Sequence, residues 1–219
     1  MDQAIFHLIN ERWTNPALDL FMAALSDLAI WTPFLVALAL YALIRGGFKG
    51  RAFVSCIGLT IIFSEVVLIH NLKPAVGRPR PKQAATVRLV ELAKARPKFL
   101  ALFRPLRIHY STTQDLRTGG EGTSFPSAHV ANNFVAATFC MLFFRRWGWL
   151  YFLVAGAIGY SRIYLGAHWP SDVLATAFLA AGETFLVLAL LELLWGSLGR
   201  RCVPALYLRH PRLIGGETA

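Results

Sequence analysis

The sequence predicts an all-α integral membrane helical bundle, and three observations carry that prediction. Of 219 residues, 56% are hydrophobic and only 16% are charged, too apolar for an ordinary soluble domain. The apolar residues gather in long runs joined by basic connections. A few ionisable residues lie inside or at the ends of those runs, where a charge is costly unless it has a partner or a task. The whole chain, residues 1–219, reads as one membrane domain of about five transmembrane helices preceded by an N-terminal interfacial helix.

Residues 3–14 mix Ile5, Phe6, Leu8, Ile9 and Trp13 with Asn10, Glu11 and Arg12, so 1–16 reads as a segment lying at the bilayer surface. Asn15-Pro16 punctuates it. Residues 17–44 are apolar apart from Asp19, Ser26 and Asp27. At about 1.5 Å rise per residue this run crosses once with excess but not twice; Pro33 is a candidate kink. Four further spans at 52–72, 128–144, 147–165 and 171–195 complete a transmembrane bundle over 17–195. Glu65 lies about two helical turns before Lys73 and is expected on the same interior stripe. Glu192 is expected at the interface. The outer loop 82–125 is long for a connection in a compact bundle. Its residues 83–96 mix Val87, Leu89, Val90 and Leu92 with Arg88, Lys94 and Arg96, and residues 99–103 are apolar again, which suits a basic amphipathic element on the membrane, or else a solvated loop.

A formal charge of +10 admits nucleic acid, anionic lipid or the basic loops of a membrane protein. The basic residues lie between spans, with no soluble segment to present them, so the expected partner is the lipid bilayer and not nucleic acid. Arg45, Lys49 and Arg51, then Arg145 and Arg146, then Arg200, Arg201, Arg209 and Arg212 of the tail 196–219 share one side. By the positive-inside rule that side is cytoplasmic, making 196–219 a basic cytoplasmic tail of a multi-pass protein in the cell's inner, cytoplasmic membrane. The first residues lack the basic start and small-residue cleavage site of a removable signal, so the spans direct insertion. Cys56, Cys140 and Cys202 are far apart and suggest neither a disulfide framework nor a metal site.

If spans alternate in direction, the end of the second, the start of the third and the junction of the fourth and fifth meet on the opposite side, facing the periplasm or exterior. Three stretches stand there. The first, Lys-Pro-Ala-Val-Gly-Arg-Pro-Arg-Pro over residues 73–81, presents Lys73 and Arg80 from a backbone that glycine and three prolines keep from continuing as helix. It reads as an anion clamp, or alone as snorkelling interfacial anchors. The second, Ser-Phe-Pro-Ser-Ala-His over 124–129, places Pro126 in the first turn of a helix, with N–H groups near Ser127 and Ala128 and the Ser127 hydroxyl available to phosphate oxygens, and His129 beside them. Alone it also reads as a capping serine with an interfacial histidine. The third, Ser-Arg-Ile-Tyr-Leu-Gly-Ala-His-Trp-Pro-Ser-Asp over 161–172, offers Arg162 to grip phosphate, His168 to attack phosphorus or carry a proton, and Asp172 to fix the imidazole or simply favour the helix dipole.

Together, Lys-x6-Arg-Pro, Pro-Ser-x-His and Ser-Arg-x5-His-x3-Asp resemble the signatures of the type 2 phosphatidic acid phosphatase superfamily, membrane lipid phosphatases whose fold is similar to that of vanadium-dependent haloperoxidases. The resemblance covers about residues 50–195. It implies that Lys73, Arg80 and Arg162 hold phosphate with Ser127 and the backbone at Ala128, that His168 is the nucleophile, that Asp172 orients it and that His129 protonates the leaving oxygen. No cofactor and no metal are called for. The family usually has glycine where this chain has Ala128, which matters only if that backbone needs positive φ.

The expected activity is hydrolysis of a membrane lipid phosphate or diphosphate. The resembled family admits polyprenyl diphosphate, phosphatidylglycerol phosphate, phosphatidate and lipid A. Phosphotransfer to an alcohol through the same site, and a non-catalytic lipid-binding or transport protein, are the competing expectations.

Overall fold

The computed structural model describes residues 1–111 and 123–214; the remainder of the outer loop and of the tail lies outside the described residues. Helix α1 (Asp2–His7) runs on through a wider π-helical turn, Leu8–Arg12. Asn15 caps α2 (Pro16–Ser26), accepting the Leu18 N–H at 2.8 Å, while Pro16 sits in the first turn where its missing N–H leaves nothing unpaired. Asp27 ends α2 and opens α3 (Leu28–Arg45): its backbone is extended and its carboxylate accepts the Ala29 N–H at 3.1 Å. The run 17–44 is therefore two helices. The break falls at Asp27 because a carboxylate there caps a new helix, and Pro33 lies inside α3. Helix α2 stays at the site end, where Asp19 meets Arg88 and Tyr164, and only α3 is long enough to cross.

Helix α4 (Gly47–Phe63) passes through a π-helical turn, Ser64–Ile69, into α5 (His70–Val76), which Gly77 ends with a left-handed φ of 58°. The short α6 (Pro81–Ala84) follows. Beyond the outer loop come α7 (Ala128–Phe143), α8 (Tyr151–Tyr164) and α9 (Pro170–Leu194). Among the described residues three segments are long and apolar enough to cross a membrane: Leu28–Arg45, Gly47–Ala84 and Pro170–Cys202. The π turn changes the phase of the preceding helix. Glu65 consequently faces outward and Ser64 faces inward, donating to Glu183 Oε2 at 3.1 Å, so the interior carboxylate that this segment meets is Glu183 of α9 and not its own Glu65.

Two apolar cores divide the bundle. One, at the site end, packs Phe6, Ile9 and Met22 against Val87, Val130, Tyr164 and Trp169. The other, toward the far end, packs Val135 and Phe139 among Ala52, Cys56, Ala131 and Ala180, whose small side chains let helices approach closely. At the far end the tail folds back through α10 (Arg200–Cys202) and α11 (Pro204–Arg209). Trp195 donates to the His210 carbonyl, Phe48 stacks on His210 at 4.2 Å, and Glu192 accepts the Leu213 N–H at 2.9 Å.

The outer loop holds a small antiparallel hairpin where an amphipathic element was one expectation. Strand β1 (Arg88–Glu91) pairs with β2 (Arg107–Tyr110), with Glu91 opposite Arg107, and a 3-10 turn at Lys98–Phe103 forms the tip. Pro97 and Pro105 oppose a continuous helix, and Val87, Val90 and Ile108 favour strand. The hairpin is anchored from the N-terminal helix: Asn10, fully buried, donates to the carbonyls of Arg88 and Tyr164 and accepts the Arg88 N–H, while Arg88 donates to Asp19 at 2.5 Å.

Candidate active site

The three motif stretches meet at one end of the bundle, as the alternation of spans predicts. Arg78, four residues past Pro74 on the break after α5, reaches the first turn of α9, donating to Asp172 Oδ1 at 2.5 Å and Ser171 Oγ at 2.7 Å. Trp169 Nε1 donates to the Pro79 carbonyl at 2.9 Å, and the Arg78 guanidinium lies over the Trp169 ring. Ser124 ties the third piece in: its N–H donates to the Arg78 carbonyl at 2.7 Å and its hydroxyl to Asp172 Oδ2.

Asp172 does not touch His168. It is fully buried as the third residue of α9, and its Oδ2 also accepts the Trp169 N–H at 3.1 Å while its own N–H donates to the Trp169 carbonyl, with Pro170 in first place. The His168 ring is held instead by the Ser124 carbonyl, 2.6 Å from Nδ1. A carbonyl only accepts, so Nδ1 carries the proton and Nε2 keeps its lone pair. The expectation that Asp172 orients the imidazole is corrected to an indirect one: Asp172 holds Ser124, and Ser124 holds His168.

The loop that carries His168 turns on Gly166, whose φ is 75°; a Cβ there would come within 3.0 Å of the Arg88 carbonyl oxygen. Its N–H groups at Ala167 and His168 both donate to the Arg162 carbonyl. His168 is 4% exposed. Burial first, then the charges of Arg162 and Arg80, push its pKa down to about 3. The ring is therefore neutral at pH 7. His129, on the first turn of α7, lies within the field of the same two arginines.

Arg162, at the end of α8, donates from Nη1 to Ser26 Oγ at 2.5 Å, and its buried Nε has no partner among the described residues. Ser127 is fully buried as the residue preceding α7, and its hydroxyl is likewise unpaired there. Its N–H is taken by Thr176 Oγ1 at 3.1 Å, so it is not available to an oxyanion as expected. Helix α7 starts at Ala128, which moves Pro126 outside the helix instead of into its first turn. Ala128 is the first helical residue, and among the described residues no residue other than glycine has positive φ. Its N–H belongs to the unpaired set of a helix start, and alanine meets the backbone requirement there. Lys73 sits in the last turn of α5. The structure thus gathers Arg80, His129, Arg162, His168 and Ser127.

Arg78, Ser124 and Asp2 have structural roles that their sequence context does not signal. The first two lay inside quoted motifs without a role. Asp2 is a surprise of tertiary structure: its carboxylate accepts from Arg78 Nη2 at 2.5 Å and from the Ser171 N–H and hydroxyl. Burial alone would raise its pKa, but these hydrogen bonds outweigh it and hold the carboxyl below the ordinary range.

Fold and site together define a helical membrane protein with a buried histidine and arginine centre built at one end of its helices. Residues 50–195 match the model of the PAP2 superfamily, and the chain belongs to that family. It is 33% identical over 169 residues to lipid A 4'-phosphatase of Bacteroides thetaiotaomicron, an alignment covering 75% of this chain and 66% of that protein. It is 36% identical over 64 residues to undecaprenyl-diphosphatase of Sulfolobus acidocaldarius, covering 29% of this chain and 31% of the relative. The chain thus spans just under two thirds of the first relative and about a third of the second. Its fold is similar to the crystal structure of Aquifex aeolicus LpxE, with TM-score 0.58, 26% identity and coverage of 86% of this chain and 94% of that one. It also resembles in fold the PAP2-type phosphatidylglycerolphosphate phosphatase of Bacillus subtilis, with TM-score 0.52, 21% identity and coverage of 87% and 86%.

Proposed function

We propose that the protein is a membrane lipid phosphatase that removes phosphate from a lipid phosphomonoester or diphosphate through a phosphohistidine on His168. The observation that carries this reading is the His168 environment: a neutral imidazole with Nδ1 fixed on Ser124, beside Arg80, Arg162 and His129, with the Ser127 hydroxyl and Arg162 Nε buried and unpaired among the described residues. Buried donors without partners are costly and are expected to await a ligand with acceptor oxygens.

In this scheme Nε2 of His168 forms a bond to phosphorus as the bond from phosphorus to the leaving oxygen breaks. The negative charge of the bound phosphate offsets the field of Arg80 and Arg162, so that His129 takes up a proton as the substrate binds and gives it to that oxygen. Arg80, Arg162, Ser127 and the Ala128 N–H hold the equatorial oxygens, with Lys73 reaching in once a headgroup is bound. His129 then takes a proton from water, whose oxygen attacks phosphorus and breaks the N–P bond. Inorganic phosphate leaves and His168 is restored.

A lipid substrate is supported by an apolar groove of about 180 Å³ between α3 and the pair α7–α8, lined by Leu25, Trp31, Phe34, Leu35, Val154 and Ile158 and reaching His129. The first carbons of an acyl or prenyl chain fit there with the phosphate at the histidines, the rest of the chain running on into the bilayer. Five crossings, namely α3, the α4–α5 rod, α7, α8 and α9, bring the site to one face and the arginines of residues 45–51, 145–146 and the tail to the other. The positive-inside rule makes the site face outward from the cytoplasmic membrane.

The test is phosphate release by detergent-purified protein from a panel of lipid phosphates and diphosphates in EDTA. Release that survives EDTA and disappears in His168→Ala supports the reading. Absence of release from every lipid, with folded protein, would favour lipid binding or transport.

A further inference from the structure

We infer that Lys94 and Arg107, on the outer hairpin, form a second anion subsite that selects substrates whose headgroup carries another phosphate besides the one removed. The inference rests on the phosphatase reading and extends it to substrate choice. A cavity of about 480 Å³ opens above the site, with Arg162 and His129 in its lining and with Lys94, Lys98 and Arg107 on its hairpin side. The space exceeds what one phosphoryl group needs.

Its charges are not balanced. Lys98 is neutralised by Asp27 at 3.0 Å, and Arg107 stands opposite Glu91 in the hairpin register. Lys94 has no ion-pair partner among the described residues, and the adjoining surface of Lys94, Arg96, Lys98 and Arg104 contains no acid. With Arg162 in the lining, the cavity carries a net positive charge. Its entrance also has a direction. The apolar groove and this cavity share Ser26, Leu28 and His129. An amphiphile threaded through both therefore leaves its chains on one side of His129 and the rest of its headgroup on the other, beside Lys94 and Arg107. A glycerol or sugar spacer bearing a second phosphate matches that side in charge and size.

The experiment compares lipid A, a disaccharide lipid with two phosphates, with both of its monophosphoryl forms, using wild type and Lys94→Ala/Arg107→Ala in neutral detergent micelles. Wild type is expected to prefer the bisphosphorylated lipid in kcat/KM, and the double variant to lose about tenfold of that preference, a typical loss for a charge-assisted contact. An unchanged ratio, including an equal fall on both substrates, overturns the inference. Repeating the comparison with phosphatidylglycerol in the micelles separates the two sources of phosphate. An effect seen only there, and equal for all substrates, would mean that these cations hold bilayer headgroups, and it also overturns the inference. If wild type released phosphate from none of the lipids, the phosphatase reading would fail, and the ratio of Kd values for the bisphosphoryl and monophosphoryl lipids would decide separately. A fall of that ratio in the double variant supports the subsite, and no change refutes it.

Discussion

Asp172→Asn probes the part of the site that sequence reasoning misassigned. Three donors converge on the two carboxylate oxygens: Arg78 Nη1 at 2.5 Å, the Ser124 hydroxyl and the Trp169 N–H at 3.1 Å. Asparagine keeps one acceptor oxygen and places an NH2 group at the other position, so at least one donor faces another donor. The loss is that of a hydrogen bond to a charged group, about 1.5–3 kcal/mol. Because Arg78 is 32% exposed, solvent screening brings the expected value to the lower end, about 1.5 kcal/mol. Thermal unfolding in detergent should fall by about 3–6 °C. The catalytic effect runs through Ser124, whose carbonyl holds His168 Nδ1 at 2.6 Å. A loosened imidazole should lower kcat by about 10–100-fold with little change in KM, equivalent to about 1.4–2.8 kcal/mol in the barrier. Ser124→Ala, which removes the hydroxyl link but leaves Arg78 paired, should reproduce the kcat loss with a smaller stability loss. Full kcat in either folded variant would refute the chain from Asp172 through Ser124 to His168.

Ser127→Ala removes a buried hydroxyl that lacks a partner among the described residues, so unfolding in detergent should stay level or rise slightly while kcat/KM falls about tenfold; a clear loss of stability with normal kcat/KM would contradict a ligand role. Asn10→Ala leaves two carbonyls and one N–H without their side-chain partner and should cost about 3 kcal/mol or more, read as a lower unfolding midpoint. Because burial holds the folded His168 pKa near 3, below its ordinary value of 6.5, the unfolded chain binds the extra proton first as pH falls. His168 therefore contributes stability fully present above pH 6.5 and lost as pH falls toward 3, and His168→Asn should flatten the acid decline of the unfolding midpoint over that window. For the same reason kcat/KM, corrected for substrate ionisation, should show no loss attributable to His168 between pH 7 and pH 5.5, a range lying well above its pKa of about 3.

The elements that could be read from sequence are those whose signal is local. Pro170 marked the start of α9, long apolar runs marked α3, α4 and α9, and the alternation of spans brought residues around 80, 127 and 168 to one end. The errors lie where the outcome depends on a distant partner. Whether Asp27 interrupts a helix or caps a new one depends on side-chain placement, not on hydropathy. Asp172 stands four residues from His168 and was paired with it by proximity in sequence, yet it takes Arg78 and Ser124, residues 94 and 48 positions away. Asp2 looked like an ordinary terminal charge until the fold placed it on Arg78 and Ser171. The hairpin is hidden because its short strands, Arg-Leu-Val-Glu and Arg-Ile-His-Tyr, carry no apolar alternation, and because Asn10, which anchors it, belongs to another segment.

Phosphohistidine chemistry requires that His168 itself carry the phosphate during turnover. The most direct measurement is rapid quench of the purified protein with 32P-labelled lipid phosphate, followed by denaturing electrophoresis with acid and base treatment of the label. The expected result is a phosphoprotein that is labile in acid and stable in base, formed within one turnover by wild type and absent from His168→Ala. Turnover at full rate with no labelled protein in wild type, or the same label on His168→Ala, would contradict it.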